Sequence, residues 1–411
     1  MRTTLCLFAV VSLVIATNAF AGDLNPTGSP ASTMLTLDQV EARIPITTLP
    51  FPASASGSYY LTGDLTAPAD TDGITISADH VTIDLNGFSL IGGGGTTGNG
   101  IVTTSNDSIT ICNGVVRDWG DEGIDLFGGE DILIEGIQAT NNGGNGIFSG
   151  NSSVVSRCVA TDNVGYGIWV REDSVVSHCA ANRNGRTNPT NQGGGIALSH
   201  NSVLEHSTAN NNQDAGASSP PLSVYGVGVF AGNGCVIRDV LAEGNSSSGI
   251  FVSDAGRVVD CVCRGNGSAG VSAYSAGVIT GCVCSDNDTS AGITAVENSV
   301  ISGNTCYDNA YGIVAASSII RDNICSGNTN EGITGTVYSH IQGNTCRDNN
   351  EGIQFDDGTI VINNFCAYNT TSSANQYVST GGFIGFGSSY LVYGPAMTTT
   401  NAWANLEARN P

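Results

Sequence analysis

The sequence contains no lysine, and this absence is a first constraint on function. Its 13 basic residues are all arginines, they face 36 aspartates and glutamates, and the formal net charge is −23. A surface of this sign repels nucleic acids and anionic membranes alike. We therefore predict neither a nucleic-acid partner nor a membrane-surface partner.

Sequence features that build helices are also scarce. Charged residues make up 12% of the chain, whereas glycine occurs 55 times. Glycine weakens helices, and charged side chains normally cover the outer faces of helices. No repeat unit shows the spacing of apolar residues that an amphipathic helix requires. These shortages exclude a helical bundle or a doubly wound fold and favour a fold rich in turns.

Long apolar runs are missing except near the N-terminus. There the apolar run from Leu5 to Ile15 is too short to span a bilayer, which takes about 20 apolar residues. The run is followed by AFA, the small-x-small pattern of a signal-peptidase site. We interpret residues 1–21 as a secretory signal peptide. The protein is therefore predicted to be secreted, in the periplasm, outside the cell or on its surface, without membrane insertion.

A repeat of about 21 residues organises the rest of the chain. In register with this repeat, a Gly followed by Ile or Val occurs thirteen times, at Gly73, Gly100, Gly123, Gly146, Gly167, Gly195, Gly228, Gly249, Gly270, Gly292, Gly312, Gly332 and Gly352. Within each unit, short runs alternate apolar and polar residues between separators of Asn, Gly, Asp and Ser. Alternation with period two indicates strands, and the separators are turn formers. The pattern predicts three short strands and three turns per unit.

A leucine-rich repeat has a similar period and is the main alternative. It needs leucine at several inward positions of each unit. Only eight leucines occur between residues 73 and 370, and none follows Leu241 in that span. The sequence therefore predicts an all-β fold, a single-stranded right-handed parallel β-helix of about 13 coils of 20–23 residues with terminal caps. We assign the coils to residues 57–370, an N-terminal cap to 22–56 and a C-terminal cap to 371–411.

Cysteine recurs in register with the repeat. Each cysteine of a main column stands three residues before a recurrent Asn, and these are Cys263, Cys284, Cys306, Cys325, Cys346 and Cys366. A second column, two positions earlier, holds Cys158, Cys179, Cys261 and Cys282. Both columns share a strand face with Val and Ile, so we predict that they lie in the core. We interpret them as mostly buried thiols, with some rung-to-rung disulfides as an alternative, and stacking predicts hydrogen bonds along the Asn column.

Several segments resemble a known family. LDQVEARIPI, GSYYLTGDLT, GITISADHVTIDLNGFSL and NAWANLE are similar to segments of secreted bacterial right-handed β-helix repeat proteins of the pectate lyase-like superfamily. The resemblance covers nearly all of the chain after the signal peptide. It implies a capped solenoid that acts on or near polysaccharide. Catalytic motifs of the superfamily do not carry over, because the sequence has no lysine, no Gly-His-Gly and no Asp-Pro-His-Glu.

One column of the repeat supplies candidate binding residues. The residue two positions after each repeat Gly faces outward, because the Ile or Val between them points inward. In seven successive coils this column is Asp125, Phe148, Trp169, Ala197, Phe230, Phe251 and Ser272. The column predicts an outward aromatic stripe with a dip at Ala197. Two long repeat intervals place extra loops, at about 185–194 and 211–226, along one edge of the stripe.

We predict that this stripe binds polysaccharide. Trp169 and Phe230 are two rungs apart, about 10 Å, which is roughly two sugar rings. Arg171 lies on the same face and is suited to a carboxylate or a sulfate. The candidate carbohydrate-binding residues are Trp169, Phe230, Arg171, Phe148, Phe251 and Asp125. The alternative is that the aromatic rings stack on one another for stability.

Two features outside the stripe are interpreted as structural. Trp119 occupies the Asn position of its own coil, and we interpret it as a packing residue. His178 and His206 share one coil position, and we interpret them as strand-surface residues.

The sequence thus predicts a secreted or surface polysaccharide-binding β-helix protein, and a lyase-like enzyme on uronic-acid-containing glycans is the catalytic version of this hypothesis. A lyase can use arginine as a base beside a calcium cluster, and Arg171 near Asp125 or Glu172 is the nearest match. No catalytic residue, metal ligand or cofactor is assigned, and calcium is kept as an alternative. A non-catalytic, adhesin-like surface rod is the second function hypothesis, and the oligomeric state is left open.

Overall fold

The computed structural model describes residues 43–185, 193–213, 226–287, 289–356 and 358–370, together with the backbone of two strands at 377–379 and 406–408. The chain divides into two units after Ala42. The first unit, which contains the predicted signal peptide, lies outside the described residues.

The second unit is a parallel β-solenoid of about 14 coils, and its described residues contain no helix. Each full coil supplies three short strands, which pair in parallel with strands of the coils before and after it. One column of strands forms a 15-stranded sheet, which we call sheet 1. The other two columns, sheets 2 and 3, join into one 28-stranded sheet because two long strands, Thr110–Arg117 and Leu133–Thr140, run through both.

The strands of sheet 1 are Phe51–Ala53, Ile74–Ile76, Ile101–Thr103, Ile124–Glu130, Ile147–Asn151, Tyr166–Val170, Gly194–Leu198, Val227–Ala231, Ile250–Val252, Val271–Ser275, Ala291–Glu297, Tyr311–Ala316, Glu331–Thr336, Glu351–Phe355 and Tyr377–Ser379. Besides the two long strands, sheet 2 contains Arg43–Ile46, Gly57–Leu61, Val81–Asp84, Val154–Ser156, Val175–Ser177, Val203–Glu205, Val236–Arg238, Arg257–Val259, Val278–Thr280, Val300–Ser302, Ile319–Arg321, His340–Gln342 and Ile360–Ile362. Sheet 3 adds Leu65–Thr66, Ser89–Ile91, Val159–Thr161, Ala180–Asn182, Thr208–Asn210, Leu241–Glu243, Val262–Arg264, Val283–Ser285, Thr305–Tyr307, Ile324–Ser326, Thr345–Arg347, Phe365–Ala367 and Leu406–Ala408.

Inward side chains of all three sheets fill a core that follows the axis of the solenoid. In sheet 1 the inward residue is the Ile or Val after each repeat Gly, and Ile147, Ile168 and Ile196 are all fully buried. Parallel register places these three residues one above another. Because successive residues of a strand point to opposite faces, the neighbours of each inward residue face away from the core. The predicted repeat and fold class are confirmed.

The repeat glycines are needed for close packing and not for an unusual backbone angle. A Cβ on Gly249 would lie 2.7 Å from the carbonyl oxygen of Gly270 and 2.8 Å from the side-chain nitrogen of Asn266. Both distances are shorter than a side chain tolerates. Glycine therefore recurs here because consecutive coils approach too closely for any side chain.

Left-handed backbone angles occur instead at the bends after the strands of sheet 2. The φ angle is +54° at Arg157, +55° at His178, +48° at His206 and +53° at Asp239. Strand Val175–Ser177 ends directly before the first of the two histidines. The interpretation of His178 and His206 as strand-surface residues is therefore wrong. The apolar-polar alternation breaks at this bend, because Ser177 and His178 are successive polar residues between the buried Val176 and Cys179.

The recurrent asparagines form a buried hydrogen-bonded ladder, as predicted. In one step of it, Nδ2 of Asn245 donates to Oδ1 of Asn266 at 3.0 Å, and the backbone N–H of Asn245 donates to the same oxygen at 3.1 Å. The ladder comprises Asn142, Asn163, Asn184, Asn212, Asn245, Asn266, Asn287, Asn309, Asn328, Asn349 and Asn369. Trp119 stands at its start, where its backbone N–H donates to Asn142 and its ring is buried. Its packing role is confirmed.

The main cysteine column is also confirmed. Parallel register stacks its six members directly over one another, and they are Cys263, Cys284, Cys306, Cys325, Cys346 and Cys366. All six are fully buried, and the four members of the second column are buried as well. The twelve cysteines of the described residues are free thiols. They fill the core as small apolar residues.

The sheets extend into the ranges that the sequence assigns to the caps. Strands Arg43–Ile46 and Phe51–Ala53 already pair with strands of the following coil. At the other end, Tyr377–Ser379 and Leu406–Ala408 pair with strands of the preceding coil. None of these four strands carries the Gly-Ile marker, so the sequence repeat does not reveal them.

Candidate functional site

The candidate stripe runs along the outer face of sheet 1. Parallel register aligns its residues in adjacent coils, in the order Asp125, Phe148, Trp169, Ala197, Phe230, Phe251 and Ser272. Trp169 and Phe230 are therefore two rungs apart, with Ala197 between them. The loops expected to wall the stripe lie largely outside the described residues, at 186–192 and 214–225.

The aromatic rings form two stacked groups. In the first group the ring centres of Phe127 and Phe148 are 4.7 Å apart, and those of Phe148 and Trp169 are also 4.7 Å apart. In the second group Phe230 stacks on Phe251 at 5.8 Å, with 7° between the ring planes. The rings thus pack on one another as cross-strand aromatic pairs do. Trp169 and Phe230 nevertheless stay partly exposed.

A small apolar cluster, separate from the core, lies on this outer face. Its buried members are Tyr166, Ala197, Val227 and Phe251, and the side chains of Trp169 and Phe230 pack against them. Phe251 is 9% exposed and Ala197 is 1% exposed, although strand alternation places both on the outer side. Phe251 therefore packs against Phe230 and supports it, and it offers little accessible surface to a ligand.

Arg171 lies over the first aromatic group. Its guanidinium carbon is 4.5 Å from the centre of the Phe127 ring, an arrangement favoured by the charge distribution of the ring. Register places Leu126, Ser149 and Val170 in line, so Arg171 and Phe127 belong to coils two apart. The described residues show no ion pair between Arg171 and Asp125. Instead Asp125 accepts a hydrogen bond from the backbone N–H of Phe127 at 3.2 Å.

The sequence-based search missed a row of polar side chains beside the stripe. The row consists of the residues directly before three successive repeat glycines, and these are Asn99, Glu122 and Asn145. Here Nδ2 of Asn145 donates to Oε1 of Glu122 at 3.1 Å, and Oδ1 of Asn145 accepts the backbone N–H of Tyr166 at 2.7 Å. The backbone N–H of Glu122 donates to Oδ1 of Asn99 at 3.0 Å. These positions belong to the same repeat, but the sequence pattern alone does not distinguish them from exposed polar residues, because their burial is known only from the structure.

Glu122 holds its proton near neutral pH. Burial, followed by a side-chain hydrogen bond with Asp121 and the charge of Asp121, raises the pKa of Glu122 to about 8. Burial likewise raises the pKa of Asp125, and the charges of Asp121 and Asp72 add to this effect. A carboxylic acid that stays protonated near pH 7 can donate a hydrogen bond or a proton to a bound group.

No group of three or more His, Cys, Asp or Glu side chains among the described residues is arranged to hold a metal ion. No helix in this part of the chain is long and apolar enough to cross a membrane.

A family model described as the right handed beta helix region matches residues 72–219 and 225–388. The chain belongs to this right-handed β-helix family. Membership agrees with the three parallel sheets and with the handedness predicted from the repeat. No curated protein sequence matches this β-helix.

Several solved structures are similar to this β-helix at low sequence identity. The Dettilon tailspike protein is 17% identical with a TM-score of 0.41, and the match covers 82% of this chain and 61% of the tailspike chain. The A-module of the Azotobacter vinelandii mannuronan C-5 epimerase AlgE4 is 13% identical with a TM-score of 0.40, covering 84% and 91%. A mannuronic acid specific polysaccharide family 6 lyase from human gut microbiota is 11% identical with a TM-score of 0.41, covering 81% and 87%. This chain thus spans less than two thirds of the tailspike chain.

Proposed function

We propose that the outer face of sheet 1 between Phe127 and Phe230 binds polysaccharide, and that the protein is a secreted or surface-located carbohydrate-binding β-helix. The observation that carries this proposal is the pair of partly exposed aromatic groups, two rungs apart on one straight column. Two rungs correspond to about 10 Å, so Trp169 and Phe230 could each contact one of two neighbouring sugar rings.

The charges at this face support a glycan that carries carboxylates. The guanidinium of Arg171 rests on an aromatic ring and not on a carboxylate of the described residues, so its charge is available to a ligand. Glu122 stays protonated near neutral pH, which reduces the negative charge of the same face. An arginine and a neutral acid beside aromatic rings suit a uronic-acid-containing chain better than an uncharged one.

A lyase-like activity is the catalytic version of this proposal. Elimination from a uronate requires one group to accept a proton and another to donate one. Glu122, with its raised pKa, is the candidate donor, and Asp125 stands three residues later, on strand Ile124–Glu130. The known motifs of the superfamily are absent from the sequence, so the reaction would use residues of this chain in a different arrangement.

The alternative function is a non-catalytic surface rod. It is favoured by the eleven-residue asparagine ladder and by the self-stacking of the rings, both of which stiffen the solenoid without any ligand. Under this alternative, Trp169 and Phe230 only protect the outer face of sheet 1.

Binding and cleavage assays with matched variants separate these functions. Uronate-containing and sulfated polysaccharides are incubated with the protein, with and without calcium, and binding and the ultraviolet absorbance of unsaturated products are measured separately. Trp169→Ala should weaken binding about tenfold, as truncation of a central aromatic contact does. Tyr307→Ala, on sheet 3, is the matched control and should bind normally.

The outcomes are distinct. If no polysaccharide binds, the rod is favoured. If binding occurs and Trp169→Ala leaves it unchanged, the proposed surface is wrong. Products that appear with the wild type and not with Glu122→Gln support the lyase version. Binding without products indicates a carbohydrate-binding protein that is not a lyase.

A further inference from the structure

Two exposed histidines lie side by side at the bend between sheets 2 and 3. His178 and His206 follow strands Val175–Ser177 and Val203–Glu205, which are paired in parallel register. Both take left-handed φ angles, +55° and +48°, so the backbone turns in the same way at each. Their ring centres are 5.2 Å apart, with 42° between the ring planes. The register of the solenoid therefore presents two imidazoles together at the surface.

The separation of the two rings suits coordination of a single metal ion. Zinc binds histidine nitrogen at about 2.0–2.1 Å with tetrahedral geometry, which places the centres of two imidazoles on one ion about 5 Å apart. The observed distance between the ring centres of His178 and His206 is 5.2 Å. Rotation of the side chains would direct one nitrogen of each ring at a shared ion, because the strands that precede the two histidines are paired in register.

The charges around the histidine pair favour a cation. Two arginines lie near the histidine pair, and each forms an ion pair with a glutamate of the preceding coil. Arg157 pairs with Glu135, and Arg238 pairs with Glu205. The next bend position after His206 is Asp239, whose Oδ2 lies 3.6 Å from Nδ1 of His206. Neighbouring arginine charge is thus balanced, and a carboxylate adds attraction for a positive ion.

We propose that His178 and His206 together bind a divalent transition-metal ion of the kind that prefers imidazole nitrogen, such as Zn²⁺, Ni²⁺ or Cu²⁺, with water in the remaining coordination positions. Such a site has two protein ligands. It stands at the bend between sheets 2 and 3, so it does not depend on the proposed carbohydrate surface of sheet 1.

Asparagine substitutions test this site without disturbing the bend. Asn tolerates left-handed φ angles, and Asn363 already occupies the equivalent bend of a later coil at +52°. The variants are therefore His178→Asn, His206→Asn and the double variant. His80→Asn is the matched control, because His80 is also exposed with a φ angle of +57°.

Zinc titration by calorimetry on the metal-free protein is the measurement, with nuclear magnetic resonance of the imidazole side chains as a second readout. We expect one Zn²⁺ per chain, an affinity at least tenfold weaker in each single variant, and no binding at this site in the double variant. The control should bind as the wild type does, and added Zn²⁺ should shift the imidazole signals of His178 and His206 selectively.

Two results would overturn the proposal. One is a wild-type protein that takes up no Zn²⁺ at millimolar concentration. The other is zinc binding that persists unchanged in the double variant, which would assign the metal to other groups such as the thiols. Circular dichroism of each variant establishes that it is folded, so that a loss of binding is read as a loss of ligands.

Discussion

Replacing Asn266 with alanine tests whether the asparagine ladder holds neighbouring coils together. In the folded protein, Nδ2 of Asn266 donates to the carbonyl oxygen of Ala242 at 3.1 Å and to Oδ1 of Asn287 at 3.1 Å. Its Oδ1 accepts the backbone N–H of Asn245 at 3.1 Å and Nδ2 of Asn245 at 3.0 Å. Alanine removes all four hydrogen bonds, in a position that is 3% exposed.

The expected loss in the free energy of unfolding is large. A buried hydrogen bond contributes about 1 kcal/mol net, and a buried group left without a partner costs about 1–3 kcal/mol. The backbone N–H of Asn245 loses this side-chain acceptor, and water cannot readily replace it inside the coil. We therefore expect Asn266→Ala to lower the free energy of unfolding by about 4 kcal/mol.

Urea denaturation and hydrogen exchange measure this effect at two levels. The matched control is Asn233→Ala, since Asn233 is exposed and its side chain accepts one bond, from the backbone N–H of Asp254 at 3.3 Å. The control should change stability by less than about 1 kcal/mol. Exchange of the Asn245 amide should accelerate in Asn266→Ala and not in the control. Equal stability losses in the two variants would refute the assigned role of the ladder.

Three further predictions concern packing, pH and thiol access. Gly249→Ala should lower the free energy of unfolding by about 2–3 kcal/mol, because the new Cβ would lie 2.7 Å from an atom of the next coil. Gly63→Ala, whose new Cβ would have nothing within 4 Å, is the control and should be nearly neutral in denaturant melts. Similar losses in the two variants would contradict the packing argument. The pKa of Glu122 is raised from 4.5 to about 8, so its contribution to stability should fall as pH rises through this range. Thermal melts of Glu122→Gln should show a flatter pH dependence and a higher Tm than the wild type at pH 8 and above. A difference in Tm that is the same at all pH values would show that ionisation of Glu122 is not its cause. In the native protein a thiol reagent should modify Cys112, which is partly exposed, before the eleven buried cysteines, and peptide mapping that finds Cys306 modified first would contradict the burial.

The solenoid separates stability from surface function within each coil. Inward residues and the ladder asparagines bind one coil to the next, while outward residues of the same strand face solvent or a ligand. Trp169 illustrates this division, because its strand neighbours Ile168 and Val170 are fully buried in the core. Substitutions on the outer face of sheet 1 are therefore expected to change binding with little effect on the fold.

Much of the fold could be predicted from the sequence because a parallel solenoid turns a repeat into a stack. The Gly-Ile marker, the asparagine column and the cysteine column all lie where their spacing predicts, and the alignment of Trp169 with Phe230 across Ala197 follows from the same rule. The first and last strands were missed because they lack the marker. In these respects local sequence carries the information, since each coil pairs only with its neighbours.

The candidate site was less predictable, because its properties depend on side chains from several coils. Arg171 lies over Phe127, which belongs to a coil two turns earlier, and no spacing rule contains that contact. The raised pKa of Glu122 requires its burial and its contact with Asp121.

By itself the sequence determined the coil, its period and the residues that stack, because hydrophobic alternation and glycine placement act within one or two coils. Only the tertiary structure decided which outward residues are accessible, as with the burial of Phe251. It also decided which exposed groups meet, as with His178 and His206. Burial and side-chain direction at bends are set by neighbours one or two coils away, and a single repeat does not encode them.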